Sequence, residues 1–228
     1  MIATGVGVGV SMQGLSINPA IPILKDGNTV GWYEARDLTT VTKDGSNHVT
    51  RWNDKLGSGR DFTIVGGTPH WSSTGILFDG VGDILTTDAF TLAQPTQIYI
   101  RCRQVTWTNN DVILDGKNIV TGVIYQQTST PSIKLYAGAA LSGAINELTI
   151  GSWGTIIVLF SGADSYGQIN LNTAITGNFG TGAMGGLSLG GRAGGSYYSN
   201  IEVAGLAVRK KADSLTDKTK IMNYLNSL

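Results

Sequence analysis

The sequence predicts an all-β protein, a two-sheet antiparallel sandwich of the jelly-roll kind with one short C-terminal helix and an extended N-terminal arm. Three observations carry that expectation. Glycine is abundant, 32 residues against 5 prolines, and only 14% of the 228 residues are charged, whereas a helical chain would be richer in Glu, Lys and Ala. About a dozen short apolar or alternating segments recur between turn signals. Helical spacing emerges only at the end, where Ile221, Leu225 and Leu228 fall at i, i+4 and i+7.

Residues 1–27 read as the arm and 28–228 as the sandwich. No charge precedes Lys25, and Val6, Val8 and Val10 alternate with glycine. Glycine is costly and valine stiff in a helix, so this stretch reads as extended. It lacks the basic leading region of a signal peptide, and export by such a signal is not expected. Asn18-Pro19-Ala20-Ile21-Pro22 is expected to continue it as extended backbone. Ile2, Val6, Val8, Val10, Leu15 and Ile17 would then offer an apolar edge for another chain to pair with. An ordinary first strand is the other reading.

Strands are expected at Thr29–Tyr33, Val49–Trp52, Gly75–Phe78 and Ile84–Thr87, with turns at Asp44–Asn47 and Asp79–Asp83. Gln97–Trp107 alternates and places Ile98, Ile100 and Cys102 on one face. Val112–Leu114, Ser132–Tyr136, Gln168–Leu171, Leu187–Leu189 and Ile201–Val208 follow as shorter strands. Thr155–Phe160 is continuously apolar, as a central strand covered on both sides would be. For the closing helix, Thr216 is the expected N-cap with Asp217 in the first turn. Thr219 then stands where a capping box would need Glu or Gln.

Sixteen basic and sixteen acidic residues cancel, so no field gathers phosphate backbones and nucleic acid is not an expected partner. No run reaches the roughly 18 apolar residues of a membrane span, and membrane insertion is not expected. Cys102, the single cysteine, can form no internal disulfide and reads as a core residue.

Few residues carry a pattern that points to chemistry. The glutamates Glu34, Glu147 and Glu202 stand alone, without the paired carboxylates of a glycosidase, and Glu202 reads as an outward strand residue. His48 and His70 are isolated, so zinc has no support. Calcium is possible only at Asp79 and Asp83, or at Asp111 and Asp115, where turn chemistry explains the Asp-Gly pairs equally. No Gly-x-Ser-x-Gly elbow is present, and Gly190–Gly195 reads as a long mobile hairpin instead of a phosphate loop. Flat aromatic faces with polar neighbours are what a glycan needs. Trp71, Trp107, Tyr197 and Tyr198, with Asn109, Asp111, Arg192 and Asn200 nearby, are the candidates. Packing is the competing role for these aromatics, while Trp32 and Trp52 are expected in the core.

The ordered set Trp32-Tyr33-Glu34-Ala35-Arg36-Asp37, Val49–Gly59 and Phe78-Asp79-Gly80-Val81-Gly82-Asp83, completed by Ile201–Val208 and the helix ending Tyr224-Leu225, resembles the concanavalin A-like lectin/glucanase superfamily in its laminin-G-like branch. The resemblance covers residues 28–228 and implies a jelly roll that binds glycans or proteins. Glu-x-Asp-x-x-Glu, the run that marks the glucanase branch, is absent. A neutral chain with an apolar leading arm also resembles bacteriophage structural proteins in organisation. Together these lead to a non-enzymatic virion appendage, exposed on the particle. Its arm would hold other virion proteins or a homo-oligomer, a trimer by that analogy, and its sandwich would meet surface glycans. The alternatives are a stand-alone bacterial extracellular carbohydrate-binding module and a glycoside hydrolase.

Overall fold

The computed structural model describes residues 18–139 and 144–228, which form two packed antiparallel sheets of eight strands each. The first sheet runs β14 (Ile175–Gly177), β13 (Ser165–Ile169), β12 (Trp153–Phe160), β8 (Thr96–Gln104), β16 (Asn200–Arg209), β6 (Ile76–Asp79) and β5 (His70–Trp71), with β1 (Thr29–Glu34) also paired to β16. The second runs β11 (Ile133–Tyr136), β10 (Val123–Gln126), β9 (Val112–Gly116), β15 (Leu187–Leu189), β7 (Ile84–Thr86), β4 (Phe62–Gly66), β3 (Val49–Trp52) and β2 (Val41–Lys43). The all-β sandwich expected from the sequence is the observed architecture.

Alternation explains the core. Ile98, Ile100 and Cys102 of β8 point between the sheets with Ile156, Val158 and Phe160 of β12, while Tyr99 and Ile157 point outward beneath a helical layer. Burial pushes the Cys102 thiol up to about 12, so it is an inert packing group. Strand β16 inverts its phase once. Ile201 and Val203 face the core, as do Leu206 and Val208, because a register shift between Val203 and Gly205 inserts a residue into the ladder. The shift also lets β16 pair with β6 along its first half and with β1 along its second.

Helix α2 (Leu215–Asn226) covers part of the first sheet with Ile221, Tyr224 and Leu225 buried. Its N-cap is Ser214, whose Oγ accepts from Asp217 N at 3.1 Å, two residues before the expected Thr216. Asp217 therefore sits at N3, a favourable position for an acid at a helix start. Residues 18–24 also depart from expectation. The Asn18 side chain accepts from Ala20 N at 3.0 Å, and the chain turns into a one-turn helix, α1 (Ile21–Leu24). Proline lacks only an amide that a first turn does not use, so Pro22 permits this turn. Leu24 is buried against the α2 layer. Ile2, Val6, Val8, Val10, Leu15 and Ile17 lie outside the described residues.

One buried cluster ties the two chain ends to the sheet. Arg209, fully buried, bonds Asp213 through Nε at 2.8 Å, Asp26 through Nη2 at 2.8 Å, the Ile23 carbonyl at 2.7 Å and Thr29 Oγ1 at 2.7 Å. Tyr99 donates to Asp213 Oδ2 at 2.8 Å. Burial alone would raise the Asp26 carboxyl, but Arg209 and Asn28 outweigh it and hold it well below the usual range. A second cluster joins Glu34, Lys55 and Asp37 to the Tyr224 hydroxyl of α2.

Gly190 marks where the second sheet hands over to the loop 190–199. Its φ is +83°, and an added Cβ would lie 2.1 Å from Phe78 Cδ1. Gly190→Ala is expected to cost about 2–4 kcal/mol, combining left-handed strain with overpacking against the core. Urea unfolding checks this; a loss within error of zero would show that Phe78 moves aside freely.

Candidate functional site

The outer face of the second sheet carries a cleft of about 310 Å³, floored by β10 and β11 and walled by the loop 190–199. Alternation builds the floor. Ile124, Ile133 and Leu135 enter the core, so their neighbours Val123, Tyr125 and Tyr136 face outward into the cleft. Tyr125 Oη donates to Gln127 Oε1 at 3.0 Å, and Gln127 Nε2 donates to Asn110 Oδ1 at 3.2 Å, giving a polar chain along one side. Burial raises the Tyr125 phenol, so it stays a neutral donor and acceptor.

Arg192 and Tyr197 form the opposite wall. A short turn closed by Arg192 N to Ser196 O at 2.9 Å and Gly195 N to Arg192 O at 2.8 Å brings the guanidinium over the Tyr197 ring, 4.4 Å from its centroid. Arg192 Nε is buried without a hydrogen-bond acceptor among the described residues, 3.9 Å from the Asp115 carboxylate. Asp115 lies wholly buried behind the cleft and accepts from Gly116 N at 2.7 Å and Val120 N at 3.1 Å. Burial raises its carboxyl, countered by those amides and by Arg192.

Three cleft residues, Asn110, Val120 and Tyr197, hold positive φ values of 77°, 64° and 56°. A β-branched residue in that region is strained by about 1–3 kcal/mol. The two Asp115 oxygens that bind Val120 N help keep it there. Backbone strain thus gathers on the rim of one concavity, as it does at binding sites.

Among the residues expected to bind glycan, the structure brings Arg192 and Tyr197 into this cleft and distributes the others. Trp107 is half-buried and donates to the Ser132 carbonyl at 3.0 Å, which makes it a support for the β10–β11 turn. Asn109 accepts from Thr128 N at 3.1 Å, and Asp111 gives its carbonyl to Gln126 N. Trp71 belongs to the first sheet, where its Nε1 donates to Ala35 O at 2.7 Å and Lys43 lies over its ring. Tyr198 is half-buried beside Gly191, and Asn200 begins β16 opposite Asp79. Tyr125, Tyr136, Gln127, Val120 and Val123 escaped the sequence reading. Their one signal was the alternation that turns Tyr136, and Tyr125 beside it, away from the core.

Two further expectations are corrected. Glu202 faces outward from the sheet yet is buried. Its Oε1 accepts from Ser72 at 2.8 Å and Thr74 at 2.5 Å, and its Oε2 from Arg103 Nε at 2.7 Å. His48 and His70, apart in sequence, pair across an isolated bridge with ring centroids 6.2 Å apart. Asp83 receives Thr68 N at 2.5 Å and Asp79 N at 2.9 Å, while Asp79 receives Val81 N and Gly82 N. These carboxylates serve the turn, and no cluster of three or more metal-ligating side chains occurs among the described residues.

Glu202 gives a pH signature. Burial pushes its carboxyl up, but Thr74, Ser72 and Arg103 prevail and hold it below its ordinary 4.5. A depressed folded-state pKa stabilises the fold above the unfolded value and loses that contribution as pH falls through the folded one. Glu202→Gln is therefore expected to flatten the fall in stability below about pH 4.5, read as urea midpoints across an acid series. An unchanged slope would assign the acid limb to other groups, such as Asp26.

No family model matches the chain, and no curated protein matches it. Solved structures do share the fold. Domain 4 of AbnA, a GH43 extracellular arabinanase from Geobacillus stearothermophilus in complex with arabinotriose, aligns at TM-score 0.62 and 14% identity, over 86% of this chain and 98% of that one. A mutant GH54 α-L-arabinofuranosidase soaked with 4-nitrophenyl α-L-arabinofuranoside aligns at 0.64 and 14%, over 90% and 64%. The sialidase of Trypanosoma rangeli aligns at 0.63 and 10%, over 88% of this chain and 33% of its own. The chain thus spans about a third of the length of the sialidases it resembles.

These likenesses show the fold, a jelly-roll-like sandwich. They overturn the expectation of a non-enzymatic virion appendage, since the structures named above are a sialidase, a domain of an arabinanase and an arabinofuranosidase. The physical reason for the error is plain. Neutral charge, many glycines and an apolar leading segment describe any soluble sandwich with an edge to protect, and they encode no partner.

Proposed function

We propose that this sandwich recognises a neutral saccharide in the cleft between β10–β11 and the loop 190–199, as the glycan-contacting unit of an extracellular carbohydrate-processing system. The observation that carries the reading is the Arg192–Tyr197 stack facing Tyr125 and Tyr136 across a floor edged by Asn110 and Gln127. Aromatic faces cover the apolar side of a sugar ring, while amide and guanidinium groups meet its hydroxyls. Asp115 beneath Arg192 offsets the positive charge, which favours an uncharged ring over an acidic one. The AbnA domain that shares the fold, described in complex with arabinotriose, supports the substrate class. The ordered motifs at 32–37, 49–59 and 78–83 support a laminin-G-like branch for the sandwich.

Calorimetric titration with arabinotriose, a xylo-oligosaccharide and a gluco-oligosaccharide tests the proposal. Saturable binding of at least one of them, with Tyr125 and Tyr197 resonances moving together by NMR, is the expected outcome. If none perturbs either ring, the cleft does not bind sugar.

A further inference from the structure

A second charged feature lies on the other face of the molecule. On the outer surface of the first sheet, beyond the end of α2, Arg101 and Arg103 of β8 stand two residues apart and so on the same face. Their guanidinium carbons lie 5.5 and 5.6 Å from the centroid of Trp153, which pairs directly with Arg103 across β12. Arg36 approaches from the end of β1, its Nε donating to the Ser73 carbonyl at 3.2 Å. The same Ser72–Thr74 turn holds Glu202. Helix α2 closes the remaining side, where Thr155, the cross-strand partner of Arg101, donates to Asn226 Oδ1 at 2.7 Å.

The charges on this shelf do not balance. Glu202 is the acid in contact with it, and both of its oxygens are already engaged, Oε2 by Arg103 and Oε1 by two hydroxyls. Among the described residues neither Arg36 nor Arg101 forms an ion pair, and Arg101 Nε is buried with no acceptor at all. Burial and the charge of Arg36 both work against the Arg101 proton. A half-buried guanidinium with an unfilled donor is costly unless an acceptor joins it. Trp153 covers one face of the Arg101 and Arg103 guanidinium pair.

We propose that this shelf is an oxyanion-binding site, in which Arg101, flanked by Arg103 and Arg36, receives a single carboxylate or sulfate group carried by a saccharide. A planar guanidinium matches such a group with two parallel donors, and the surplus positive charge supplies the attraction that the neutral cleft lacks. The site is independent of the cleft in position and chemistry. Neither site needs the other.

The test uses the full chain with NMR detection of the Arg101 Nε–Hε and Trp153 indole signals. D-glucuronate, inorganic sulfate and D-glucose are titrated in parallel. Glucuronate or sulfate should shift both signals saturably, and glucose should not; which anion binds tighter separates a carboxyl from a sulfo ligand. Arg101→Gln should weaken that binding at least tenfold, the scale of one charge-assisted hydrogen-bond pair, while Arg192→Ala leaves it unchanged. The proposal is overturned if neither anion moves the Arg101 signal, if glucose moves it equally, or if Arg101→Gln binds as the parent does. Should that variant fail to fold, the parent titration decides alone.

Discussion

Replacing Arg209 with alanine should destabilise the protein by about 3–5 kcal/mol, the scale for breaking a buried ion pair from one side. The side chain is wholly buried and meets Asp213, Asp26, Thr29 and the Ile23 carbonyl, so its loss leaves the buried Asp213 side chain held only by Tyr99 and, at 3.9 Å, by Lys211. Three segments are involved: α1 with the turn after it, the start of β1, and the link between β16 and α2. Native-state hydrogen exchange should show α1 and α2 opening first, with β8 and β12 keeping their protection. The paired change Arg209→Met with Asp213→Leu should recover part of the loss, because it removes both charges of the buried pair, although the Tyr99 hydroxyl loses its acceptor and Asp26 its cation. Urea unfolding of the three proteins settles it. A single-variant loss below about 1 kcal/mol, the range of an exposed pair, would mean water reaches the cluster.

Tyr197→Ala is the variant expected to reduce saccharide binding most, by tenfold or more, the equivalent of about 1.4 kcal/mol at the least. The ring is 45% exposed and supports Arg192 on one face. Its removal takes away the stacking surface and frees the guanidinium to swing toward Asp115. Arg192→Ala should weaken binding comparably, and the double variant should lose less than the sum, since each residue positions the other. Tyr197→Phe keeps the ring and should bind nearly as the parent does. Saccharide calorimetry on the parent and the four variants measures this, and full additivity would show that the two walls act separately.

The long strands were readable because each carries enough residues to display a period. Strands β8, β12 and β16 span nine, eight and ten residues, while the phase inversion of β16 became visible only in its register with β8. The short strands β2, β4, β5, β10 and β14 were missed, since two to five residues give alternation too few points. The misplaced N-cap at Thr216 has a similar cause: Ser214, Thr216 and Thr219 all suit a helix start locally, and only the packing of Ile221, Tyr224 and Leu225 selects Ser214.

The cleft was half legible. Arg192 and Tyr197 drew notice as polar and aromatic groups in a glycine-rich loop, but Trp107 looked equally suitable until Ser132 claimed its indole N–H. Glu202 looked solvent-facing because a strand position gives only its side of the sheet; the turn 72–74 that buries it arrives from 128 residues away.

By itself the amino-acid order determined the class of fold, the faces of the long strands and the closing helix, all of which follow from periods of two and 3.6 residues along the chain. The three-dimensional packing alone decided which tyrosines share a concavity, which arginines lack a counter-ion and which carboxylates are spent on structure. Those properties depend on residues brought together across sheets from distant segments, and no local periodicity records that meeting.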